Sequence, residues 1–190
     1  MSDELTFTPK NRKDWRRWLE QNGAKETSVW LIYYKATSGK PTITYSDAVD
    51  EALCFGWIDS KVQTVDAVSY RQFFTKRKPD SVWSKLNKAK VEKLIEQELM
   101  TEAGLRCIKS AQQNGYWSLL DDAENGIIPP DLEKALNRSV KARKYFDGLS
   151  RTDKRNLLQW LVLAKKEENR KKRINAIIDN AIEGKKPKGF

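Results

Sequence analysis

Between Trp57 and Asn87 the chain concentrates side chains able to hold a charged ligand: Trp57, Asp59, Tyr70, Arg71, Arg77, Ser81, Trp83, Ser84 and Asn87. Side chains alternate along a strand, so Trp57, Asp59 and Lys61 are expected on one face. Arg77 and Lys78 precede a predicted helix whose first N–H groups are free and whose dipole favours negative charge. The chemistry of that arrangement is anion capture, by a guanidinium, a helix start at Ser81–Ser84 and a flanking Trp. A scaffold reading stands beside it. In that reading Asp59 pairs with Arg71 or Arg77, Ser81 is a cap, and Trp57 and Trp83 are core. Asn87 shares the apolar face of its helix with Trp83, Val91, Leu94 and Ile95, where an amide must find partners. Tying the helix to a neighbouring backbone is its expected use.

Catalysis has less to work with. There is no histidine in the chain, which removes Ser-His-Asp and Cys-His nucleophile systems, a His-ligated zinc and an imidazole proton shuttle. Cys54 and Cys107 are too few for a four-thiolate site, and they are expected to be reduced, buried small residues. Cys54 becomes a nucleophile only with a lowered pKa, for which Lys61, Arg71 or a helix start are the available causes. No phosphate-cradling glycine loop occurs. One enzymatic reading remains, Asp59 as acid or base with Arg77 as anion clamp, and no second carboxylate is placed beside it. The expectation is no catalytic residue, no metal and no cofactor, with binding favoured over catalysis and the Asp59–Arg77 enzyme kept as an alternative.

The 190 residues fit one medium domain, or a compact domain with a smaller appendage. No apolar run reaches membrane-span length, and the polar start Met1–Glu4 lacks the pattern of a signal peptide, so a cytoplasmic protein without membrane insertion is expected. The net charge of +10 is unevenly placed: residues 1–137 carry 20 basic and 20 acidic side chains, residues 138–190 carry 16 and 6. The run Lys165, Lys166, Arg170, Lys171, Lys172 and Arg173 is the candidate surface for a second partner class, nucleic acid, through its phosphates. Glu167 and Glu168, interleaved with it, suit a solvated helix face instead.

The elements that must position these residues follow from patterning. Leu5-Thr-Phe is a short strand. Asn11 caps a helix with Trp15, Trp18 and Leu19 on one face, ending at Asn22-Gly23. Ser28–Lys35 is a strand, and Thr37–Pro41 a turn. Ser46 caps a helix that Gly56 terminates. Two strands from Trp57 and Val68 form a hairpin around Asp66-Ala67. A helix capped by Asp80 or Ser81 runs to about Gln97, and another from Thr101 to Asn114. Tyr116–Pro130 is the linker candidate. Beyond it helices start near Asp131 and Val140, a capping box at Ser150–Asp153 opens a third, and Ile174, Ile177, Ile178, Ala181 and Ile182 mark the last. The tail Lys185–Phe190 is a flexible basic end.

Three strings in order carry a family resemblance: Ala52-Leu-Cys-Phe-Gly-Trp-Ile-Asp-Ser60, Tyr70-Arg-Gln-Phe-Phe-Thr-Lys-Arg-Lys78 and Ser81-Val-Trp-Ser-Lys-Leu-Asn87. With Met100–Leu105, Gly115-Tyr-Trp117, Pro130-Asp-Leu132 and Ala164–Ile174 they resemble the YdeI/OmpD-associated, or bacteriocin-protection, family over about Leu5–Gly184. Ser60 stands where that family usually has Gly, and Lys76 where it usually has Pro. The resemblance implies bacteriocin or stress protection and no defined reaction. The expected architecture is α+β: a small antiparallel sheet flanked by helices over residues 1–120, then an all-helical, basic subdomain over 121–190. The expected function is a non-catalytic binding protein for an anionic small molecule or peptide.

Overall fold

The computed structural model describes residues 4–187. Met1–Asp3 of the polar start and Lys188–Phe190 of the basic tail lie outside the described residues. The chain divides into two compact units, one running to Ser81 and resuming over Leu86–Tyr116, the other formed by Val82–Lys85 and the chain from Trp117 onward.

The first unit contains β1 (Thr6–Phe7), α1 (Arg12–Asn22), β2 (Ser28–Tyr34), α2 (Tyr45–Cys54), β3 (Trp57–Thr64), β4 (Ser69–Lys76), most of α3 (Lys85–Glu96) and α4 (Glu102–Gln113). The strand order is β1-β2-β4-β3. The sheet is mixed rather than wholly antiparallel. The β2-β4 and β4-β3 pairs are antiparallel, and β1 lies parallel to β2. The reason is the connection: α1 carries the chain back from β1 before β2 starts, and a helical crossover returns a strand in the same direction.

Register puts Val29, Leu31 and Tyr33 of β2 opposite Phe74, Gln72 and Tyr70 of β4, so these six share the sheet's inner face. Asn11 caps α1 as expected, its side chain accepting from the Asp14 N–H at 3.0 Å. Trp15 of α1 meets Phe74 edge-on at 5.5 Å, and Trp18 meets Trp57 at 6.0 Å. The Trp15 indole N–H donates to the Ala48 carbonyl at 3.0 Å and ties α1 to α2. Burying each Leu or Phe of this layer contributes about 1.5–3 kcal/mol.

Three expectations need correction here. Thr44, not Ser46, caps α2. Its hydroxyl accepts from the Asp47 N–H at 3.1 Å and donates to the Asp47 carboxylate at 2.7 Å, a closed box that Ser46, two residues on, cannot make. Helix α3 starts at Lys85 because Ser81 is used in a turn, its hydroxyl accepting from the Lys78 N–H at 3.0 Å. Lys61 does not share a face with Trp57 and Asp59. Asp59 pairs with Phe74 and Val62 with Gln72, so a bulge at Ser60–Lys61 shifts the alternation by one residue.

Helices α2 and α4 meet closely at the end of α2. The Cys54 carbonyl accepts from the Thr101 N–H at 3.0 Å and the Thr101 hydroxyl at 2.7 Å, and a Cβ on Gly104 would fall 2.3 Å from that oxygen. Gly56 then turns the chain with φ +73° into β3.

The second unit is helical: α5 (Asp121–Glu124), α6 (Pro130–Leu136), α7 (Val140–Asp147), α8 (Arg151–Val162) and α9 (Glu167–Ile182). Its core joins Ala123, Leu132, Leu136, Ala142, Phe146, Leu157, Leu158, Leu161, Ile174, Ile177 and Ala181. The α+β architecture with a helical C-terminal part is therefore as expected. The stretch expected as a linker is instead partly folded into this unit, since α5 supplies Ala123 to the core and Pro130 opens α6 at its first helical position, where its missing N–H costs nothing. The tail is held as far as Pro187, which is buried, and Lys186 pairs with Asp153 at 2.9 Å. Among the described residues no helix is long and apolar enough to cross a membrane.

Candidate functional site

The nine residues expected to form an anion site fall in both units, Trp83 and Ser84 in the second and the others in the first. Trp57 and Trp83 are buried core, Trp57 against Trp18 and Trp83 against Trp117 at 5.0 Å. Tyr70 and Asp59 lie on the inner face of the sheet. Arg71, one residue after Tyr70, lies on the outer face. There it sits 4.1 Å over the Trp30 ring and bonds Gln63 from Nε (3.0 Å) and a terminal nitrogen (2.7 Å), with Glu4 at 2.9 Å. It therefore does not pair with Asp59. Arg77 is 8 % exposed, and burial pulls its guanidinium down to about 10, against the raising influence of Cys107 and Asp59. Ser84 and Asn87 are half-buried.

A negative group does occupy the start of α3, and it is the chain's own. The Lys85 N–H donates to Glu124 Oε2 at 2.7 Å, while Glu124 Oε1 accepts from Gln159 Nε2 at 3.2 Å. The helix start attracts an anion as electrostatics requires, and a carboxylate from α5 meets the demand.

A different set converges at the hairpin end of the inner face. Asp59 Oδ2 accepts from the Tyr45 hydroxyl at 3.0 Å and from Gln72 Nε2 at 2.6 Å. Gln72 is 3 % exposed, so a buried amide anchors a half-buried carboxylate. Asp59 Oδ1 takes no hydrogen bond from the described residues. Two residues along β4 from Gln72, Tyr70 stacks on Tyr33 with centroids 4.9 Å apart and planes 3° from parallel. Tyr33 is 0 % exposed and its hydroxyl finds no hydrogen-bond partner among the described residues. Burial raises its pKa, helped by the nearby Tyr70, Asp59 and Tyr45. This end of the face is partly open: Tyr45 is 51 % exposed, and Val62, opposite Gln72, is 60 % exposed. Tyr33, Tyr45 and Gln72 were not among the expected site residues. The pointer to two of them was present, since Tyr33 continues the inner alternation of Val29 and Leu31, and Gln72 breaks the aromatic alternation between Tyr70 and Phe74.

The basic run of α9 is largely engaged within its own unit. Glu167 pairs with Lys171 at 2.8 Å and Glu168 with Lys172 at 2.5 Å, each one helical turn apart. Arg170 grips Asp131 with two bonds of 2.6 and 2.9 Å, and Arg173 lies 5.0 Å over Trp160 while donating to its carbonyl. Lys166 precedes the helix and is exposed, as is Lys165. The thiols suit packing: burial pushes Cys54 up to about 11, and raises half-buried Cys107 against the lowering pull of Arg77 and Arg106. Among the described residues no group of three His, Cys, Asp or Glu side chains is arranged to hold a metal.

Comparison with known proteins is consistent with the two-unit division. Residues 7–107 match the model of a domain of unknown function, DUF8412, and residues 125–184 match the family described as bacteriocin-protection, YdeI or OmpD-associated. The resemblance expected from Leu5 to Gly184 is thus found over the second unit, while the strings between Ala52 and Asn87 fall within the first model. No curated protein and no solved structure matches the chain. Through residues 7–107 the chain belongs to the DUF8412 family, and over residues 125–184 it carries the YdeI/OmpD-associated, bacteriocin-protection domain.

Proposed function

We propose that this chain is a non-catalytic binding protein with a role in bacteriocin or stress protection, and that its ligand engages the open end of the sheet around Asp59. One observation carries the reading: among the described residues a hydroxyl on a fully buried tyrosine has no hydrogen-bond partner, beside a carboxylate with one oxygen uncommitted. Scaffolds pair their buried polar groups, so polar capacity left over at one place favours a site over a strut. Protection is supported by the description of the family matched in the second unit. Binding rather than reaction is supported by the thiols, whose raised pKa values disfavour the nucleophilic thiolate. The start of α3 is a poorer place for an external anion, because Glu124 is already there.

The test is a protein-observed NMR screen with neutral, anionic and cationic fragments, on the wild type and on Asp59→Asn. Shifts clustering on Tyr45, Asp59, Val62, Tyr70 and Gln72, and lost in the variant, are the expected result. Hits confined to other surfaces and indifferent to the variant would rule the site out.

A further inference from the structure

The structure points to the class of ligand, on the reading that the Asp59 patch is the binding site: we infer that it takes an organic cation with an apolar stem, an alkylammonium or alkylguanidinium group such as a lysine or arginine side chain carries.

The charge at Asp59 favours a cation. Several carboxylates of this protein face a cation: Glu51 has Arg12 and Arg16, Asp50 has Lys90, Asp131 has Arg170, Asp153 has Lys186. Among the described residues Asp59 has no ion pair within salt-bridge distance. Its two donors, the Tyr45 hydroxyl and the Gln72 amide, are neutral dipoles that orient Oδ2 without cancelling the charge, and they leave Oδ1 as an acceptor. Arg77 is buried and senses the charge of Asp59, which acts against the lowering effect of burial, without forming an ion pair with it among the described residues. An incoming anion would meet this carboxylate with repulsion, whereas a cation completes it.

The surroundings of Asp59 favour one as well. Tyr45 reaches Asp59 with its hydroxyl, and Tyr70, backed by the parallel ring of Tyr33, lies on the same sheet face. Aromatic faces are electronegative and attract ammonium and guanidinium groups. Val62, exposed on this face, offers apolar area to a hydrocarbon stem. A hard metal ion fits less well, because it asks for several oxygen ligands and one carboxylate stands here.

The experiment is a titration of the full chain with tetramethylammonium chloride and with methylguanidinium chloride, followed by NMR shifts at Tyr45, Asp59, Val62 and Gln72. Sodium chloride at matched ionic strength and sodium acetate serve as the comparison arms. Saturable shifts with both organic cations and none with sodium or acetate are expected. Asp59→Asn, which keeps an acceptor for Tyr45 and Gln72, should weaken binding by at least about tenfold, the size of a lost hydrogen bond to a charged group. Tyr45→Phe, at an exposed position that tolerates the change, should weaken it by a smaller factor. Equal affinity in Asp59→Asn overturns the inference. If acetate or a neutral fragment shifts these residues and the cations do not, the cation assignment fails while the patch survives as a site. Silence from every probe at these residues defeats both.

Discussion

Gln72 donates from Nε2 to Asp59 Oδ2 at 2.6 Å, across the β3-β4 pair and immediately before the Ser60–Lys61 bulge. The amide is buried and the carboxylate is half-open, so the two residues are coupled unequally. Asp59→Ala leaves a sealed amide without its acceptor and should cost about 1–3 kcal/mol in urea denaturation. Asp59→Asn, which still presents an oxygen, should cost clearly less. Equal losses in the two variants would show that the hydrogen bond does not hold this end of the sheet.

Tyr33 gives the opposite sign. Its hydroxyl is buried and has no hydrogen-bond partner among the described residues, so Tyr33→Phe removes a desolvation cost and keeps the stack on Tyr70. The variant should be as stable as the wild type or up to about 1 kcal/mol more stable. A loss of more than that, in the same denaturation experiment, would mean the hydroxyl has a partner in the native state.

Glu51 anchors α2 to α1 through Arg12 at 2.5 Å and Arg16 at 2.8 Å. Its own side chain is almost sealed, while the two arginine side chains are 36 % and 29 % exposed and can regain water. Glu51→Ala should therefore destabilise by about 2–4 kcal/mol, towards the lower end of what breaking a sealed pair costs. Thermal unfolding of Glu51→Ala beside Glu51→Gln, which retains hydrogen bonding, measures the part due to charge.

Glu124 caps α3 from a different helix, α5. Glu124→Ala should cost about 1 kcal/mol, the usual value of a lost helix cap. Hydrogen exchange at Lys85 should quicken in that variant, and unchanged protection there would show the carboxylate is not the cap in solution.

The Cys54 thiol sets a pH window. Burial, reinforced by Glu51, raises it from the ordinary 9.0 to about 11, so the folded chain keeps a proton that the unfolded chain loses first. Its contribution to stability is complete below pH 9 and is lost as pH rises towards 11. Denaturation midpoints of wild type and Cys54→Ala between pH 8 and 10.5 should converge as pH rises. A constant difference would place the thiol near its ordinary pKa. At pH 8, Cys54 should also alkylate more slowly than half-buried Cys107 in the native protein.

Local features were readable from the sequence because they depend on a few consecutive residues. Asn11, Thr101 and Ser150 cap their helices as their side-chain types and spacing imply, each accepting an N–H three residues on. The same chemistry misled at Ser46 and Ser81. Several polar residues stood close together there, and reach to a particular N–H decided between them. At Lys76, where a proline is usual in the resembling family, the backbone N–H donates to the Thr27 carbonyl at 3.1 Å, a bond a proline cannot make.

By itself, the sequence determined the order and type of most elements, the two-part organisation by charge and aromaticity, and the absence of histidine chemistry. Tertiary structure alone decided which polar groups meet. A one-residue bulge removed Lys61 from the face of Asp59, strand alternation sent Arg71 to the opposite side from Tyr70, and a carboxylate from α5 took the start of α3. Those outcomes rest on register and on contacts between residues distant in the chain, which spacing along a single segment does not encode.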